Sequence, residues 1–238
     1  MADERSIRGE HSRGLRGLLG RYWSADEGLT VFFLILCTLL FVIYPLVETS
    51  SEIRYAGDIF FTLLLVSGAV TIRKSAIMKG LVIGAAVMAI AVHWMKTVGP
   101  GWPLYTWEAA LVMVSLVLFI VVILKHMFQP GPMTLHRVLG AVSVYMLLGL
   151  VWAFAYRVVA RHFPGAIHFE FQPTDQTLMS RFVYFSFSTL TTVGYGDITA
   201  VHPIARALVV SEALVGQLFP VLLIGGLLSM ALQSRQKT

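Results

Sequence analysis

Seven consecutive residues, Thr191-Thr192-Val193-Gly194-Tyr195-Gly196-Asp197, place two glycines at alternate positions beside hydroxyl-bearing side chains. No nucleophile–base pair stands among them, so covalent catalysis is not their chemistry. Their resource is oxygen. Gly194 and Gly196 reach positive φ at no steric cost, which lets successive carbonyls turn toward one side. Thr192 adds a hydroxyl oxygen to the row. Hard oxygens in series suit a partly dehydrated monovalent cation, which accepts carbonyl and hydroxyl ligands in place of water.

Such a row must be held away from bulk water, and the composition shows what holds it. Of 238 residues, 57% are hydrophobic and 13% charged, too little polarity to cover a water-soluble surface. Neither Gly28 to Val47 nor Val138 to Tyr156 contains a charge. A hydrocarbon core about 30 Å thick is crossed by roughly 20 apolar residues in a helix. The chain therefore reads as an all-α integral membrane protein. Six spanning helices are expected, over about residues 25–47, 56–72, 77–95, 104–124, 135–160 and 203–232. The first apolar run is too long for a signal segment and should stay as an anchor.

Between the fifth and last spans, Thr174 or Asp175 is available as an N-cap. Gln176 to Leu190 is long enough for about four helical turns. The glycine-bearing run follows. Irregular backbone at membrane depth survives only where it is buried or lines a water-filled path. The segment thus reads as re-entrant, a short helix and an extended return. Its helix aims the negative end of its dipole, about half a charge, toward the site. One chain supplies one wall, and four identical chains around an axis close it.

The 18 Lys and Arg residues lie mostly on one side of this arrangement. That asymmetry puts both termini in the cytoplasm of a multi-pass protein of the cell (plasma) membrane. Four parts result: a basic N-terminal segment (1–24), a four-helix unit (25–134), a pore unit (135–232) and a short tail (233–238). Ser24 and Glu27 form a capping-box pattern at the first span. Residues 13–23 are either a surface-lying helix or a flexible basic tail. The single Cys37 rules out an internal disulfide. The basic residues are accounted for by topology, not by nucleic acid, and no enzyme motif or cofactor-binding loop appears.

The run 191–197 resembles the signature of the potassium-channel pore family, and the likeness extends over about residues 140–232. It implies that the carbonyls of Thr192, Val193, Gly194 and Tyr195, with the Thr192 hydroxyl, bind K+ ahead of Gly196. Thr191 and Asp197 would flank the filter, and the Tyr195 ring would brace it. Tyr184 and Phe185 take the place of the family's paired aromatics. Ser188 stands where some members carry a filter-facing acid. Gly216 matches the glycine hinge of the inner helix, and Gln217 and Ile224 fall on its cavity-facing register. The partners implied are three identical subunits, membrane lipid and K+.

Pro220 removes a helical hydrogen bond and can bend the last span. Gly225-Gly226 offers a flexible or close-packing point. Glu212 is the only formal charge in that span and needs a partner or a proton. It reads as a brace behind the short helix or as a proton-sensitive site. Trp107 to Leu124 carries one acid, Glu108, and no base. The family's voltage-gated members need several gating charges there. The chain is thus expected to resemble a six-span channel of prokaryotic type without fourth-span arginines. His93 reads as interfacial, and His162, His168 and His202 as outer-side residues. Two other readings stay open: a subunit of a coupled potassium uptake system, or a non-conducting sensor.

Overall fold

A computed structural model describes residues 25–49, 54–71, 76–98, 102–128, 135–174 and 177–235. The first helix, α1 (Ala25–Thr38), continues through a π turn at Leu39–Ile43 into α2 (Tyr44–Thr49). Pro45 accounts for the change of pitch. It has no N–H to give, and its ring would strike the carbonyl one turn back. The ladder widens just before it, where the Tyr44 N–H bonds to the Leu39 carbonyl.

Three further helices follow: α3 (Arg54–Thr71), α4 (Ala76–Val98) and α5 (Trp102–Met127). Then come α6 (Leu135–His162), β1 (Ile167–Phe169), the short α7 (Leu178–Leu190), β2 (Ile198–Ala200) and α8 (Pro203–Arg235). α5 lies along both α4 and α6, and α1 packs on α3 and α6. α7 is held between α6 and α8. One apolar core runs through the helices, with Leu36, Leu64, Leu116 and Leu147 fully buried. Phe32 meets Phe119 edge-on with ring centroids 6.0 Å apart. Gly68 makes room for that ring, since a Cβ there would lie 2.6 Å from Phe119 Cζ.

Among the described residues, four helices are long and apolar enough to cross a membrane: Gly28–Thr49, Thr106–Met127, Leu135–His162 and Pro203–Gly226. The expected second and third spans correspond to shorter apolar stretches, Gly57–Ala69 and Lys79–Met95. The protein is a mostly helical membrane protein.

The helical class holds, with one small addition and one change of cap. β1 and β2 pair antiparallel, with Ile167 opposite Ala200 and Phe169 opposite Ile198. Buried Ile167, Phe169 and Ile198 supply one apolar side to this ribbon. The N-cap of α7 is Thr177 instead of Thr174. Thr174 forms a turn with it, accepting from the Thr177 N–H through its own carbonyl at 3.1 Å. Asp175, the Ser24–Glu27 pattern and residues 13–23 lie outside what the structure describes in atomic detail.

Substituting Gly68→Leu should overpack the α3–α5 contact and cost about 1–3 kcal/mol. Gly80→Ala, where a Cβ meets nothing within 4 Å, should leave stability equal or raised by helix propensity. Thermal unfolding of the purified protein followed by circular dichroism separates the two.

Candidate functional site

A helix leaves its last four carbonyls without partners, and at the end of α7 all four are taken. Phe187 O accepts the Thr191 N–H at 3.0 Å, and the Thr191 hydroxyl also donates to it at 2.7 Å. Ser188 O accepts the N–H groups of Val193 at 2.8 Å and Gly194 at 3.1 Å. Thr189 O accepts the Thr192 N–H at 2.9 Å. Leu190 O accepts the Tyr145 hydroxyl from α6 at 3.1 Å.

This folds the glycine-bearing run back on the helix by its donors. Among the described residues, no hydrogen bond reaches the carbonyls of Thr192, Val193, Gly194, Tyr195 or Gly196. Their backbone also alternates in hand. Thr192, Gly194 and Gly196 have φ of 60°, 54° and 89°, while Val193 and Tyr195 are not in the positive range. Alternation of this kind turns successive carbonyls to one side. Thr192 adopts it without glycine's freedom, an unusual conformation for a β-branched residue.

Beyond Gly196 the chain is fixed again. Asp197 O accepts the Glu170 N–H at 2.9 Å, and the β1–β2 ribbon follows directly. Tyr195 is 73% exposed. Its ring stacks on Tyr184 of α7 with centroids 6.2 Å apart and planes 9° apart. The Tyr184 hydroxyl lies beside the Asp197 carboxylate. Phe185 is buried and packs on Tyr156 at 4.8 Å.

Glu212 joins three helices. It is wholly buried in α8 and receives the Tyr156 hydroxyl from α6 at 2.5 Å on Oε2. The Ser186 hydroxyl of α7 lies 2.5 Å from Oε1 and 2.6 Å from the Gly149 carbonyl of α6. Of the two sequence readings, the brace is the one the geometry displays. One turn further on, Gly216 lies so close to α7 that a Cβ would fall 2.0 Å from Leu190 O. Its immediate role is close approach of the two backbones. Gly226 faces Phe128 in the same way, with 3.1 Å to a built Cβ, whereas Gly225 is open. Pro220 lies inside continuous helix.

One side of the described part of α8 packs on the core through Leu208, Val209, Phe219 and Leu223, and the other is uncovered. Val210, Leu214, Leu218, Val221, Leu222 and Ile224 are all exposed in the single chain, and so is Gln217. The outer histidines are scattered: His168 is exposed, His162 bonds its own helix, and His202 stacks on Phe163 at 4.5 Å. His93 corrects its sequence reading. It is buried, with Nδ1 2.7 Å from Glu108 and Nε2 2.9 Å from Asp58, because the acids of α3 and α5 draw the ring inward.

Residues 142–233 match the family model described as Ion channel. The matched stretch runs from within α6 to near the end of α8 and contains the α7 junction and all of 191–197. The match supports an ion-channel family for this stretch. No curated protein and no solved structure gives a match. Sequence reasoning found the carbonyl row and Glu212. It missed Tyr145, Tyr156 and Ser186, whose single hydroxyls carry no motif.

Glu212→Gln keeps an acceptor for Tyr156 and gains a donor for Ser186, so stability should fall by less than about 1 kcal/mol. Glu212→Ala strands the Tyr156 hydroxyl, leaves Ser186 only its Gly149 acceptor, opens a cavity between the three helices and should cost about 2–5 kcal/mol. Denaturation midpoints of the purified proteins measure the contrast.

Proposed function

We propose that four copies of this chain form a potassium-selective channel, with residues 135–232 as the pore unit. K+, the transported substrate, would be held by the carbonyls of Thr192, Val193, Gly194 and Tyr195 and by the Thr192 hydroxyl. The observation that carries this reading is the row of unengaged carbonyls on a backbone of alternating hand. Oxygens left without donors at membrane depth are costly unless a cation or water meets them. The negative end of the α7 dipole favours that cation.

Two features support assembly. A single chain leaves Val193 and Tyr195 more than half exposed, so only neighbouring copies can enclose the row. The long apolar face of α8 carries Gln217 among exposed aliphatic side chains, as suits a helix that lines a cavity on one side and meets neighbours on the other. Cyclic symmetry brings identical rows face to face. The protein would reside in the plasma membrane with both termini cytoplasmic, the six long helices crossing and 177–197 re-entering from the outer side.

The described part of α5 carries Glu108 and, only in its last turn, Lys125 and His126. Each charge moved through 100 mV supplies about 2.3 kcal/mol. With no basic residue in the middle of α5, conduction should lack steep voltage dependence of the usual fourth-span kind.

Gly194→Ala and Gly196→Ala place a Cβ at positive φ and should abolish potassium-selective flux in liposomes while leaving the protein assembled. Selective flux through both variants would refute the site.

A further inference from the structure

The N-terminal unit contains a buried charged cluster that the carbonyl row does not use. His93 of α4 sits between two acids, Glu108 of α5 on Nδ1 and Asp58 of α3 on Nε2. Arg157 of α6 approaches the other Glu108 oxygen, with Nη2 3.5 Å from Oε2. From α2, Tyr44 lies within range of the charges of Arg157, Asp58 and Glu108. Glu108 is 1% exposed and His93 6%, while the Asp58 side chain is 23% exposed and forms the wet edge.

Hydrogen-bond counting fixes what this arrangement holds. A neutral imidazole has one N–H and one lone pair, and a carboxylate only accepts. Both ring nitrogens stand at hydrogen-bond distance from carboxylate oxygens, so both contacts form only when the cluster carries one further proton. With the ring as imidazolium, both nitrogens donate to carboxylate oxygens. Without that proton, a lone pair faces a carboxylate oxygen in a buried place, an arrangement proteins avoid. A metal ion does not suit it. The two ring nitrogens point apart, so one ion cannot meet the ring and both acids, and among the described residues no group is placed for metal binding.

Arg157 connects the cluster to the pore unit. It belongs to α6, and its neighbour Tyr156 donates to Glu212, which in turn binds Ser186 of α7. A second tie reaches the same short helix from the N-terminal unit, where Glu48 of α2 accepts the Ser180 hydroxyl at 2.7 Å.

We propose that Asp58, His93 and Glu108 form a proton-binding site whose occupancy, through Arg157, sets how readily the pore conducts. The second half rests on the channel reading. Loss of the proton frees one acid from the ring and changes the pull of Glu108 on Arg157, beside the Tyr156–Glu212 contact.

The test uses the purified full chain in liposomes from about pH 5 to about pH 9, bracketing the ordinary histidine range. Trp94 reports on the ring, because its indole lies edge-on to His93 at 6.3 Å and a protonated imidazole quenches a nearby indole. Tryptophan emission of the wild type should titrate, and the titration should vanish in His93→Gln and in Trp94→Phe. Potassium flux should change by at least about fivefold over the same series, the lower range of ordinary coupling between sites, and become flat in His93→Gln. Glu108→Gln, which keeps the shape, should move the emission midpoint to lower pH. An emission titration unchanged by His93→Gln overturns the proton site. Flux whose pH profile ignores His93→Gln while emission responds overturns the link to the pore. Absence of flux in every variant counts against the channel, and the emission titration then still decides the site.

Discussion

Backbone groups withdrawn from water need partners, and in the run 191–197 the N–H groups of 191–194 find them while the carbonyls of 192–196 do not. The N–H groups of 191–194 turn back onto the end of α7 and complete that helix. This commits the opposite side of the backbone, so the carbonyls of 192–196 are the groups left over. Helix, reversal and oxygen row are therefore one device. Were the donors of 191–194 released, the α7 carbonyls would lose their partners and the alternation at Thr192, Gly194 and Gly196 would lose its cause.

The surrounding helices serve this device through a small number of buried polar contacts. Tyr145 holds the last carbonyl of α7, Glu212 fastens its middle to α6 and α8, and Glu48 meets its first turn. Apolar packing between membrane helices is weakly directional, and lipid competes for it. Short hydroxyl–carboxylate contacts fix rotation and height. The Gly216 approach to Leu190 adds a steric stop on the same side. The ribbon of β1 and β2 secures the far end at Asp197, so the oxygen row is anchored both before and after.

Much of this was legible in the sequence where a residue type has few uses. Two glycines spaced by one residue announced the backbone row, uncharged runs announced helices, and a lone acid in an apolar span announced a buried partner. Helix limits followed within a few residues. What could not be read depends on which turns face each other. His93 looked interfacial because its acids lie 35 and 15 residues away in sequence. Tyr156 and Ser186 look like ordinary helix residues until Glu212 lies between them. Thr192 at φ 60° defies its own propensity, since the bonds of its neighbours to Ser188 impose the turn. The ribbon was hidden because three-residue strands carry almost no periodic signal.

Selective K+ conduction by the unengaged carbonyl row is tested most directly by the reversal potential of currents through the purified protein in a planar bilayer, with potassium on one side and sodium on the other. A conducting row of this kind gives a reversal close to the potassium equilibrium potential, on the sign set by the potassium gradient. A reversal near zero, with sodium carrying current as readily as potassium, would contradict it.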